Sequence, residues 1–175
     1  MPNFSFLSED TMLEEIFHRY PERYAPLSGF VQDVMRGNAS ELEVRQRELI
    51  AAFVSGLNEC SYCYGAHSKI SDSFGFPESL IKALLEDIDS SSLDSKLKPL
   101  FKYLQKITQN PGRVVQSDVQ LCIDAGWSER AIEDAMAVCA LFNMVNRIVL
   151  GYGLNNIWTP KRNQHIDNLL NKGYA

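Results

Sequence analysis

Glu48-Leu49-Ile50-Ala51-Ala52-Phe53-Val54-Ser55-Gly56-Leu57-Asn58-Glu59-Cys60-Ser61-Tyr62-Cys63-Tyr64-Gly65-Ala66-His67 is the stretch whose reading decides the fold. It opens on an apolar helical run and breaks at Gly56-Leu57-Asn58, a natural reversal between two antiparallel helices. It then resumes with two cysteines and a histidine. On a helix, positions 60, 63 and 67 stand at i, i+3 and i+7 and share one face. Helical side chains lean toward the N-terminus, so His67 leans back over Cys63. Cys60 is two turns from His67, about 10 Å along the axis. Direct contact with the imidazole is therefore expected for Cys63 and not for Cys60. Cys63 is the candidate activated thiol. Cys60, at the helix start, is the expected more exposed partner. The helix dipole should favour thiolate in that first turn. Glu48 lies as far before the reversal as His67 lies after it, roughly 13 Å on each arm. The two can face each other, and a buried carboxylate would orient the ring and support its charged form.

The rest of the chain supports a helical reading. Of 175 residues, 45% are hydrophobic and 22% charged, the balance of a globular protein with its own core. A net charge of −5 argues against nucleic-acid or anionic-membrane partners. Apolar runs break before 18 residues, and no basic, apolar leader opens the chain, so a cytoplasmic setting is expected. Thiols stay reduced there, and a CxxC pair is more often catalytic or metal-binding than a structural staple.

Helices are predicted from Ser8 to Tyr20 and Pro26 to Arg36. A third opens at the capping box Ser40-Glu41-Leu42-Glu43 and runs to Leu57, and a fourth extends to Gly75. Others follow Pro77, span Lys96–Gln109 and Ser117–Ala125, and run from Glu129 to Val149 behind Ser128. The last opens at Thr159-Pro160. No strand alternation, repeat or low-complexity tract interrupts them. The apolar 131–150 segment is expected to be buried nearly all round. Asn143, Asn146 and Arg147 are unusual on it and read as polar contacts at a subunit interface, Asn143 and Arg147 sharing a face. Trp127 and Trp158 read as plugs at the core edge, Cys122 and Cys139 as core packing, and His18 and His165 as surface or helix-end residues.

Glu48, eleven intervening residues, then Cys60-x-x-Cys63-x-x-x-His67 resembles the alkylhydroperoxidase D core of the carboxymuconolactone decarboxylase-like superfamily. The wording Glu59-Cys60-x-Tyr62-Cys63 is nearest its peroxidase-related branch, and the late helix with Phe142-Asn143-Met144-Val145-Asn146-Arg147 extends the likeness. The resemblance implies an all-α, alkylhydroperoxidase D-like helical bundle over residues 1–175 as a single domain. It implies a homotrimer or hexamer and thiol-dependent reduction of hydroperoxides. It assigns peroxide attack to Cys63, resolution to Cys60, and a proton relay to Glu48 and His67. One position departs: the alkylhydroperoxidase D type has histidine before the second cysteine, where this chain has Tyr62. Tyrosine is a poor proton acceptor near neutrality.

No Gly-x-Gly-x-x-Gly or Walker sequence is present, so no cofactor is expected. Electrons must come from an external dithiol, such as a thioredoxin-like or lipoyl-type protein. Zinc on Cys60, Cys63 and His67 is the chemical rival, but no second ligand pair completes it. A redox sensor or interaction protein of the same fold is the functional rival. A lactone decarboxylase needs no cysteine pair.

Overall fold

The computed structural model describes residues 2–174. Met1 and Ala175, the ends of the expected 1–175 domain, lie outside the described residues. Among the described residues all regular structure is helical: α1 (Leu13–Arg19), α2 (Pro21–Arg36), α3 (Val44–Leu57), α4 (Ser61–Ser73), α5 (Glu78–Glu86), α6 (Leu97–Gln109), α7 (Gln116–Asp124), α8 (Glu129–Tyr152) and α9 (Pro160–Lys172). One 3₁₀ turn, Pro111–Arg113, links α6 to α7. The all-α expectation holds.

The boundaries differ in physical detail. Ser8 does not open α1. It forms a side-chain turn with Thr11 and Asp10, and the helix begins where the Glu15 carboxylate takes the Met12 N–H at 2.9 Å. Pro21 does not merely stop α1. It starts α2 at once, since a proline needs no donor in a first turn. Pro26 then lies inside that helix. The cap of α3 is Glu43, whose N–H is taken by Gln46 Oε1 at 2.9 Å. Ser40 instead ties the preceding loop to Asp134 of α8 at 3.1 Å.

Core position follows from α3. Leu49, Ile50, Ala51, Ala52, Phe53 and Val54 are all fully buried, which only a helix covered on every side allows. α4, α8, α5, α6 and α2 supply that cover. Phe53 meets Phe101 of α6 with ring centroids 5.0 Å apart. After α3, Glu59 adopts a positive φ of 54°, and the chain folds back so that the Cys60 N–H meets the Ser55 carbonyl at 2.9 Å. α4 thus returns along α3.

α8 is not buried all round. Its inner face enters the core, while Met136, Met144 and Leu150 are about 40% exposed on the outer one. By length and composition alone it is apolar enough to cross a membrane, contrary to the expectation that no segment would reach that length. Asn3 closes its C-terminal carbonyls at Leu150, Gly151 and Tyr152. Trp127 plugs the core edge and donates to the Lys96 carbonyl at 2.8 Å, but Trp158 is half exposed.

Candidate active site at the Cys60–Cys63 turn

Glu48 is fully occluded at mid-α3, yet it carries a charge, because three donors converge on it. Its Oε2 meets His67 Nδ1 at 2.7 Å. Its Oε1 meets Arg36 Nη1 at 2.7 Å and accepts from Tyr174 Oη at 2.9 Å. Burial pushes the carboxyl up. The charge and hydrogen bond of His67, followed by those of Arg36, outweigh it and hold the group below the usual carboxylate range. An ionised Glu48 can only accept, so the His67 Nδ1 bears hydrogen. Nε2 is then the nitrogen left for proton exchange. Phe142 of α8 fixes the ring edge-on at 4.5 Å, and the Tyr174 ring lies nearly parallel at 6.3 Å.

Both cysteines are free thiols at the start of α4, where Cys60 is the cap residue. Their exposure is the reverse of the expectation. Cys60 is completely closed off, while Cys63 lines a cavity of about 540 Å³. The reason is a polar floor built on Asn146. Buried Asn146 of α8 donates to Ser55 at 3.1 Å and accepts from Asn58 at 3.0 Å, reaching beneath the turn. The hydrogen bond of the Cys63 thiol chiefly, then the nearby peptide N–H and Asn146, holds Cys60 below the ordinary thiol range against its burial. The same bond to Cys60, together with burial, pushes Cys63 well above that range. The pair therefore shares its first negative charge, with the resting bias toward Cys60 rather than Cys63.

No direct hydrogen bond joins His67 to Cys63 among the described residues. The two line the same cavity instead. Its walls are mainly apolar, with Leu13 and Phe17 from α1, Tyr24 from α2, and Leu141 and Val145 from α8. Tyr62 shapes it and is no base: its Oη accepts the Leu13 N–H at 3.1 Å, and burial raises its pKa. His165, expected at the surface, lines the cavity and pairs with Glu14 Oε1 at 2.7 Å. Cys122 and Cys139 stay apart from the pair. Cys122 bonds the Asp118 carbonyl, and Cys139 contacts Thr108 at 3.3 Å. Asn143 accepts from Arg147 at 2.9 Å within α8.

Sequence reasoning missed Arg36, Tyr174 and Arg162, and it read Asn146 as an interface contact, whereas Asn146 is fully buried under the thiol turn. Arg36 looks like an ordinary cation at a helix C-terminus. Tyr174 sits beyond the last helix, where no periodicity reports on contacts. Tyr174→Phe removes one of three donors to a buried carboxylate. It is expected to cost about 1.5–3 kcal/mol of stability in urea unfolding, the worth of a hydrogen bond to a charged group. A variant as stable as the parent would show that Arg36 and His67 satisfy Glu48 alone.

The helical bundle is that of the alkylhydroperoxidase D-like class of fold. Comparison agrees. Residues 21–106 match the carboxymuconolactone decarboxylase family, and solved structures of peroxidase-related proteins resemble the chain. An uncharacterized peroxidase-related protein from Silicibacter sp. TM1040 superposes with a TM-score of 0.72 at 25% identity, covering 80% of this chain and 74% of its own. An alkylhydroperoxidase D core protein from Ralstonia eutropha JMP134, also peroxidase-related and uncharacterized, gives 0.73 at 17% identity over 84% and 76%. A protein of unknown function from Agrobacterium tumefaciens gives 0.69 at 20% identity over 82% and 97%. Among proteins with curated functions, none matches the chain by sequence.

Proposed function

We propose that this protein is a thiol-dependent peroxidase that reduces organic hydroperoxides through Cys60 and Cys63. The observation that carries this reading is the juxtaposition of Cys63 and His67 on one apolar cavity, with Glu48 locked behind the imidazole. Cys63 attacks because it alone of the pair faces that cavity. Its proton passes to Cys60 or, through a water in the cavity, to His67 Nε2. The Cys63 thiolate takes the distal oxygen of the hydroperoxide. The O–O bond breaks, an S–O bond forms, and the leaving alkoxide gains a proton as the alcohol. Cys60 then displaces hydroxide from the sulfenic acid, giving the disulfide and water. An external dithiol, of thioredoxin or lipoyl type, reopens it by two exchanges and leaves as its own disulfide.

The peroxidase-related name of the Silicibacter relative supports this class of chemistry. The single-domain, cytoplasmic homotrimer or hexamer that the resemblance implies belongs to the same proposal. The exposed Met136, Met144 and Leu150 stripe on α8 is a fitting contact surface for it.

Steady-state consumption of cumene hydroperoxide with a small dithiol as reductant tests the reading. Many turnovers per protein are expected. One oxidation per protein without turnover would indicate a redox sensor, and no oxidation would end the proposal.

A further inference from the structure

Arg162 is the charge in this molecule that the mechanism above leaves unused. It projects from the first turn of α9, is 2% exposed, and lines the cavity beside Cys63. Among the described residues no carboxylate lies within 4.0 Å of it. Its guanidinium carbon stands 3.5 Å over the Tyr62 ring, and Nη2 donates to the Tyr62 carbonyl, the peptide that leads into Cys63. Nε is sealed off with no partner, and none of the hydrogen bonds among the described residues uses Nη1. An aromatic face and one carbonyl compensate a buried cation only in part. Glu14, on the same wall, feels the Arg162 charge but is more than 4.0 Å away and gives its Oε1 to His165.

A buried cation with no carboxylate in direct contact favours a further anion close by, and the group beside it that can become one is the Cys63 thiol. We propose that Arg162 is a positioning residue that draws the shared thiolate of the pair from Cys60 onto Cys63, the sulfur that faces the cavity. In that step the proton moves from Cys63 Sγ to Cys60 Sγ and the negative charge moves the other way. No electron changes hands. Charged and titratable groups reach the Cys63 side of the cavity from every element around it except α8. They are Cys60, Tyr62 and His67 on α4, Glu14 and His18 on α1, Tyr24 on α2, Arg162 and His165 on α9, and Tyr174 after α9. Glu48 and Arg36 stand behind His67 and offset each other. Of these, Arg162 is the cation without a carboxylate. Its charge favours the Cys63 thiolate, against the opposing push of Cys60 and burial.

This inference gives the proposed peroxidase its nucleophile, but its test reads thiol ionisation rather than turnover. In a Cys60→Ser background, the rate of Cys63 alkylation by neutral iodoacetamide is followed against pH. With Arg162 present, the midpoint is expected at or below about 8.5, the ordinary thiol value, despite burial. Arg162→Gln keeps an N–H for the Tyr62 carbonyl but removes the charge. It should raise the midpoint by about one pH unit, so that alkylation at pH 7 slows about tenfold. Arg162→Lys restores a charge and should recover most of that loss. An unchanged profile in Arg162→Gln, or equal shifts in the Gln and Lys variants, would overturn the proposal. If Arg162→Gln fails to fold, the Cys60→Ser midpoint decides alone: a value above 8.5 rejects the role. Absence of hydroperoxide turnover in the parent protein would defeat the peroxidase reading and leave this profile standing.

Discussion

Replacing Cys63 with serine is expected to bring hydroperoxide reduction down to the rate of buffer and dithiol alone. Access is the reason. Of the four cysteines, Cys63 is the one on the cavity wall, whereas Cys60, Cys122 and Cys139 are each fully buried. Serine preserves size but cannot stand in chemically. Its hydroxyl does not ionise near neutrality, and an oxygen cannot pass through the sulfenic state. No neighbouring thiol can take over without moving, since Cys122 and Cys139 are held by backbone and side-chain partners elsewhere in the core. Residual activity above a tenth of the parent's would place the reaction on another sulfur.

Glu48→Gln should slow the first oxidation by two or more orders of magnitude, the usual worth of acid–base assistance. The amide oxygen can still accept from His67 Nδ1, so the ring keeps its orientation. The charge that supports imidazolium is lost, and Arg36 is left without its carboxylate. Stability should show the same loss with a definite sign. The folded-state pKa of Glu48 lies below its unfolded value. Its contribution is therefore fully present above the ordinary carboxyl range, near 4.3, and disappears as pH falls through the folded value. Urea unfolding of Glu48→Gln should accordingly lack that part of the acid dependence. A parental oxidation rate in the variant would remove Glu48 from the chemistry.

The Glu48–His67 pair was legible because it follows from counting. Two helices joined by a tight reversal bring residues equidistant from it to the same depth, and a lone acid beside an apolar run needs a partner there. The helical class was legible for the same local reasons of period, cap and break. Partners brought by distant chain were not legible. Arg36, Arg162 and Tyr174 arrive from α2, α9 and the segment after it, and nothing in their neighbourhoods marks them as inward-facing.

The exposure of the thiols was misjudged for a related reason. A first-turn residue is usually open, but Asn146 of α8 floors this turn and closes over Cys60. Pro21 misled the α1–α2 boundary, because it reads equally well as an end and as a beginning. Ser40 was spent on a tertiary contact with Asp134 rather than on its own helix.

Thiol counting across a single oxidation probes the sulfur chemistry most directly. The fully reduced protein carries four free thiols. It is mixed with one equivalent of cumene hydroperoxide in stopped flow, then quenched, counted and mapped. The expected result is two thiols lost, one alcohol formed, and a bond linking Cys60 to Cys63. Four thiols remaining while the hydroperoxide persists, or oxidation confined to Cys122 and Cys139, would contradict it.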